Sequence, residues 1–175
     1  NLVIAAVIGS LLRFAFVEEI SWLKFQNWLH GHSHVAMLGW VYLALYAFLI
    51  GTFLPNQHQN RPFYNHLFWL TQISVIGMLI MFPIQGYAVG SIAFSTLHIL
   101  CSYVFVFQFW KHLNHSGESK QSTRFIRAAL LFMILSTFAI WAIPVIILTG
   151  NAGSAWYYGA VQFFLHFQFN GWFIF

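Results

Sequence analysis

Acidic side chains are almost missing from this sequence. Its 175 residues include no aspartate and only three glutamates, Glu18, Glu19 and Glu118, and charged residues make up 6% of the chain. Soluble domains carry about 25% charged residues, so this composition excludes an ordinary soluble domain. The seven lysines and arginines form no basic stripe, and we therefore expect no nucleic-acid partner.

Cysteine is equally scarce, since Cys101 is the only one and lies within an apolar run. A disulfide framework needs pairs of cysteines, so none is expected. Hydrophobic residues, in contrast, make up 60% of the chain, and they form runs of about 18 or more residues, long enough to cross about 30 Å of hydrocarbon. We therefore predict an all-α, polytopic transmembrane helix bundle whose first partner is the lipid bilayer.

The apolar runs predict six membrane helices in a single transmembrane domain covering residues 1–175. These helices cover about residues 1–17, 29–52, 64–86, 89–110, 124–149 and 155–175. Before the second helix, "EEISWLKFQNW" mixes charge with tryptophan and phenylalanine, which is typical of an interfacial segment. Because residues 1 and 175 both fall inside apolar runs, we expect the chain to be a fragment of a longer protein.

The distribution of cations predicts the topology. Five lysines and arginines fall on the side that holds both termini: Arg61, Lys111, Lys120, Arg124 and Arg127. The opposite side holds Lys24, with Arg13 a turn or so inside the first helix. Since cytoplasmic loops carry the excess of lysine and arginine, both termini are predicted to be cytoplasmic, in a bacterial inner membrane.

Histidine is the abundant ionisable residue, with nine in the chain. In "HGHSH", His30, His32 and His34 open the second helix, while His98 and His166 lie within the fourth and sixth helices. All three helices start at the outer face, and the rise of about 1.5 Å per residue predicts that their imidazoles share a cavity in the outer half of the membrane. Intramembrane ionisable residues mark functional paths, and imidazole is the commonest metal ligand, so these histidines are candidates for binding a cofactor or a metal.

Arg13, in "GSLLRFAF", is a second candidate because it is an intramembrane charge. Either it extends outward to the interface, or it pairs with a buried anion. The propionate of a bound cofactor suits it as a partner, although Glu18 and Glu19 compete from the same end of the helix.

Three stretches together resemble a known family: "HGHSHVAMLGW" on the second helix, Arg13 on the first, and "LHFQFNGW" on the sixth. They resemble the catalytic subunit of the haem–copper oxidase superfamily, which includes nitric oxide reductases. The resemblance implies that His34 is an axial ligand of a low-spin, b-type haem, with His32 and His30 as alternates and Arg13 near the haem. It further implies that His166 is the first ligand of a copper or non-haem iron centre.

A relative of this family would be a terminal oxidase or a nitric oxide reductase-like oxidoreductase of a respiratory chain. Electrons from a cytochrome or quinol would pass through the haem to the second metal, where oxygen or nitric oxide is reduced, and other membrane subunits would accompany the chain. The family's catalytic subunit has about twice as many helices, so the chain would correspond to its N-terminal six-helix portion. His98 has no counterpart among the family's usual ligands.

The residues leave three alternatives open. His34 and His98 would clamp one haem in a small membrane cytochrome b that only transfers electrons. The histidines of the second, fourth and sixth helices would instead form a copper or zinc path in a transporter or sensor, with His98 and His166 among the metal ligands. In the third alternative, the protein is an accessory membrane subunit without a cofactor.

Overall fold

The computed structural model describes residues 1–55, 62–113 and 119–174. Within these ranges the chain is helical and contains no strand. The six helices are α1 (Leu2–Phe14), α2 (Phe25–Phe53), α3 (Pro62–Gln85), α4 (Val89–Leu113), α5 (Lys120–Leu148) and α6 (Ala155–Phe167, continued by Gln168–Trp172). The predicted all-α class and the order of six helices are confirmed. Helix α2 begins earlier than predicted and includes the end of the segment that we expected to be interfacial.

Four of these helices, α2 to α5, are long and apolar enough to cross a membrane. Helix α1 is also apolar but has only 13 residues, which span about 20 Å at 1.5 Å per residue. That is less than the hydrocarbon thickness of about 30 Å. By length and composition, the structure therefore supports an integral membrane protein with four candidate spans out of the six predicted.

The burial pattern of the described helices is the one expected of a protein surrounded by lipid. Large apolar side chains face outward, and Phe107 is 71% exposed. Small polar side chains are inside, since Ser74, Ser91 and Ser136 are completely buried. Lipid gives helices no hydrophobic reason to bury apolar side chains, and it favours small polar residues between helices.

The chain divides into two compact units, Asn1–Phe109 and Trp110–Phe175. The first unit holds α1, α2, α3 and most of α4. Its buried core joins side chains of the first three helices, namely Ala5, Val35, Val75, Met78 and Phe82. This core lies directly beside the histidines that open α2, because Val35 follows His34.

The second unit contains α5 and α6, and both of these helices begin with a serine cap. The Ser119 side chain accepts a hydrogen bond from the backbone N–H of Ser122, and the Ser154 side chain accepts one from that of Tyr157. Serine is among the preferred N-caps because its oxygen satisfies a backbone donor that the helix leaves unpaired. Further along, the stacked rings of Phe132 and Phe167, 5.6 Å apart, pack α5 against α6.

The topology of the termini stays a prediction. Arg61, one of the five cations on which it rests, lies outside the described residues, as does Glu118. Lys111 lies in the last turn of α4, and Lys120 is the first residue of α5. These two residues flank the same connection, as the sequence predicted.

Candidate functional site

Two short segments depart from α-helical geometry, and each follows a candidate histidine. Val35–Val41 of α2 is a π-helix that starts directly after His34. Gln168–Trp172 of α6 is a second π-helix, in which the Phe173 N–H donates to the Gln168 carbonyl five residues earlier, at 2.9 Å. Such π segments are rare and are frequent at functional sites.

The same residue pattern overlaps both segments and starts one residue before the first and two residues before the second. "HVAMLGW" starts at His34 and "HFQFNGW" starts at His166, so histidine, glycine and tryptophan recur at identical spacing. We call this pattern the H-x4-G-W motif. Each folding unit contains one copy. The repeat is visible in the sequence, but the two stretches were not predicted to be related.

The glycine of each motif lies where two helices approach closely. A Cβ atom added to Gly39 would be 2.6 Å from Val75 Cγ1 of α3, and one added to Gly171 would be 2.5 Å from Phe132 Cβ of α5. Ordinary contacts begin at 3.4 Å. Both motifs therefore need a residue without a side chain at this position to bring the π segment against its neighbouring helix.

Helical periodicity separates the three histidines of "HGHSH". Residues four apart share a face of an α-helix, and His30 and His34 both face Phe82, with ring centroids 6.1 Å and 4.4 Å from it. Phe82 is completely buried, and Tyr87 lies against the His30 ring at 4.7 Å. These four rings form an aromatic wall, which we name the His34 face.

The hydrogen bonding of His34 leaves one ring nitrogen for a ligand. Its Nδ1–H donates to the His30 carbonyl at 2.8 Å. A neutral imidazole has one donor and one acceptor nitrogen, so Nε2 retains its lone pair, and no partner for it is present among the described residues. A metal-bound histidine commonly donates its other ring N–H to a carbonyl in this way. His34 therefore has one ring nitrogen that could accept a bond from a ligand.

His32 is on the other side of α2, facing α1. Its Nδ1–H donates to the Ala5 carbonyl at 3.0 Å, and a Cβ atom on Gly9 would come within 2.9 Å of its ring. His32 thus ties α1 to α2. The three histidines that the sequence presented as alternates therefore have different surroundings: His30 and His34 lie on the His34 face, and His32 contacts α1.

His98 is a buried histidine of α4, with only 2% of its surface exposed. Its Nε2–H donates to the Leu38 carbonyl at 3.3 Å, and its Nδ1 lies 3.4 Å from the Ser102 hydroxyl. Both ring nitrogens therefore have a polar neighbour within the protein. The predictions that His98 binds a haem or a metal are not tested by this arrangement, but binding through Nε2 would require it to release Leu38.

Arg13 is exposed in the last turn of α1. Within the described residues it forms no ion pair with Glu18 or Glu19, the two carboxylates that the sequence offers nearby. It belongs to α1, the helix that His32 rather than His34 contacts.

His166 is an exposed residue of α6 in the second unit. The Asn170 amide donates to its Nδ1 at 3.2 Å. Gln168 begins the π segment, is 4% exposed, and donates from Nε2 to the Ser136 hydroxyl at 2.9 Å. His166 is thus held from its own helix, as His34 is, but its Nδ1 accepts, so the neutral imidazole carries its proton on Nε2 and would have to lose that proton to bind a metal there. That the histidines of the two units share one cavity stays a prediction.

In the described part of the chain, no three side chains among histidine, cysteine, aspartate and glutamate are grouped closely enough to hold a metal. His166 therefore offers one metal ligand rather than a complete set. Comparison with protein-family models, curated proteins and solved structures finds no match for the chain.

Proposed function

We propose that the protein is a membrane haem and metal redox protein of the kind that the haem–copper oxidase resemblance implies. His34 holds a low-spin, b-type haem, and Arg13 lies near its propionates. His166 contributes a ligand to a second metal, copper or non-haem iron, at which oxygen or nitric oxide is reduced. The electron donor is a cytochrome or a quinol, and other membrane subunits accompany the chain.

The observation that carries this proposal is the environment of His34. Its Nδ1–H is used by the His30 carbonyl, so that Nε2 is left as an acceptor. The completely buried Phe82 ring lies 4.4 Å from the imidazole and packs against it, which holds the imidazole in place. A bound haem would supply one-electron chemistry, with its potential set by the axial ligand and by the burial of the site. The protein's own part is to fix the imidazole and to exclude water from the His34 face.

The second metal is assigned to His166 by the resemblance of "LHFQFNGW" to the family. The recurrence of the H-x4-G-W motif supports it, because the motif places His166 before a π segment as it places His34. The remaining ligands of this metal would lie outside the described residues.

The proposal extends the four candidate spans to six, with α1 and α6 as the additional spans. Both termini are cytoplasmic in this arrangement, and the protein resides in a bacterial inner membrane. Even-numbered helices then begin at the outer face, and the His34 face lies in the outer half of the bilayer. An outer site suits an electron donor that docks from that side.

The test is a dithionite-reduced minus oxidised spectrum of the protein purified in detergent. We expect a sharp α-band that is lost in His34→Ala and kept in His166→Ala, while gas reduction is lost in His166→Ala. His66→Ala is the matched control, because His66 is an exposed histidine of α3 and should retain both properties. A flat spectrum from folded wild-type protein would refute the proposal. Loss of the α-band in His166→Ala would refute the division of roles.

A further inference from the structure

His98 has the contacts of a residue that supports the His34 site rather than those of a ligand. It lies on α4, yet its hydrogen bond reaches the backbone of α2, where Nε2–H donates to the Leu38 carbonyl at 3.3 Å. The edge of its ring also meets the Tyr42 ring, at a centroid distance of 4.8 Å and an interplanar angle of 66°. His98 thus contacts α2 at two points one turn apart, inside and just after the π segment.

The Leu38 carbonyl lies where the backbone bonding of α2 changes. The Tyr42 N–H donates to the Met37 carbonyl five residues earlier, which is π-helical bonding, and α-helical bonding resumes from Tyr42 onward. A change from five-residue to four-residue bonding shifts the register by one residue, so one carbonyl at this point is skipped by the helix and depends on a donor from elsewhere. His98 supplies a donor to Leu38, and the Asn1 side chain supplies one to the next carbonyl, Gly39, at 2.6 Å.

The protonation of His98 follows from these partners. A neutral imidazole with its proton on Nε2 donates to Leu38 and presents Nδ1 as an acceptor. Ser102 lies 3.4 Å from this Nδ1 and donates at 2.9 Å to the His98 carbonyl. If His98 bound a metal through Nε2, it would have to give up its proton on that atom and its bond to α2.

We propose that His98 is a positioning residue for the His34 site, one that fixes the π segment behind His34 and does not itself bind the cofactor. The segment Val35–Val41 begins at the residue after His34, so a rearrangement of its turns would redirect the His34 imidazole. The inference rests on the proposed function for the identity of the cofactor, and on the structure alone for the support of the π segment. It assigns His98 a different role from the haem and metal ligation that the sequence suggested.

The experiment compares His98→Gln with His98→Leu. The glutamine amide can donate from about the position of the imidazole Nε2, whereas leucine fills space without a donor. Two readouts are recorded for each full-length variant in detergent: the reduced α-band, and the hydrogen exchange of peptides covering Val35–Val41. His66→Leu makes the same chemical change at an exposed position of α3 and is the control.

We expect His98→Gln to keep the wild-type α-band and exchange. His98→Leu should shift or lose the α-band, and its Val35–Val41 peptides should exchange about five- to tenfold faster, because local opening follows the loss of a hydrogen bond. Equal loss of the α-band in both variants would show that His98 is a ligand and would overturn the inference, while the proposed function would stand. Wild-type behaviour of both variants would also overturn it. If the wild-type protein binds no haem, the proposed function fails, and the exchange rates alone decide the role of His98.

Discussion

Substitution of Gly39 by alanine tests whether the first H-x4-G-W motif depends on close packing between helices. The new Cβ atom would be 2.6 Å from Val75 Cγ1, which is 0.8 Å short of the 3.4 Å at which ordinary contact begins. Val75 is 1% exposed, and its β-branched side chain has few rotamers to adopt. The helices α2 and α3 would have to separate, and overpacking of this kind costs about 1–3 kcal/mol.

Helix propensity acts in the opposite direction, because alanine is favoured over glycine by about 1 kcal/mol within a helix. Gly51 of the same helix provides the control, since nothing lies within 4 Å of a Cβ atom added there. Both substitutions gain the same stabilisation from the helix propensity of alanine. The difference between their free energies of unfolding therefore measures the cost of overpacking at Gly39. We expect Gly39→Ala to be less stable than Gly51→Ala by about 1–3 kcal/mol.

The assay is thermal unfolding of both variants in the same detergent, together with the reduced α-band of the folded protein. Gly39→Ala should unfold at a lower temperature than Gly51→Ala and should bind less haem. Equal stability of the two variants would contradict this prediction, because it would show that α2 and α3 do not pack closely at Gly39. The second motif permits the same comparison, in which Gly171→Ala meets Phe132 and Gly159→Ala meets nothing within 4 Å.

Two further predictions follow from buried contacts. Phe82→Ala should destabilise the protein by about 3–5 kcal/mol and weaken haem binding, because a completely buried ring that packs against His34 is removed; a stable variant with wild-type absorbance would contradict the role of the His34 face. Ser136→Ala should cost about 1–3 kcal/mol, because it leaves the buried Gln168 Nε2 without its acceptor. Gln168→Leu should lower the free energy of unfolding by less than Ser136→Ala does, because it also removes Oε1, a buried atom that has no hydrogen-bond partner in the described structure. Thermal unfolding that ranks the two variants in the opposite order would contradict this account.

The helices were predictable from the sequence because long apolar runs determine them in a chain with so few charges. The start of α2 at Phe25 was missed, since charge and aromatic residues there are equally typical of an interface. The separation of His32 from His30 and His34 follows from helical periodicity and was available in principle. The two π segments were not predictable, because a π turn depends on tertiary contacts such as the one between Gly39 and Val75.

The partner of His98 also depends on the rotation of α4 about its axis, which one sequence does not determine. The position of His98 along its helix predicts that it lies at the same depth in the membrane as other histidines. That depth does not distinguish a ligand from a supporting residue. The hydrogen-bond partners make that distinction: Nε2 of His98 is used on α2, whereas Nε2 of His34 has no partner among the described residues. A search for metal ligands by residue type therefore selects both histidines, and only the structure separates them.

His32 and His34 have the same protonation, because each donates its Nδ1–H to a carbonyl. Protonation therefore does not show which of the two is the better candidate for a cofactor ligand. The location of that carbonyl makes the difference. The partner of His32 is Ala5 on α1, so its ring is part of the contact between two helices and cannot move without loosening it. The partner of His34 is one turn back on its own helix, so this hydrogen bond fixes the direction of the ring without joining two helices. A cofactor ligand needs a fixed direction and a free nitrogen, and His34 meets both requirements without being needed to join two helices.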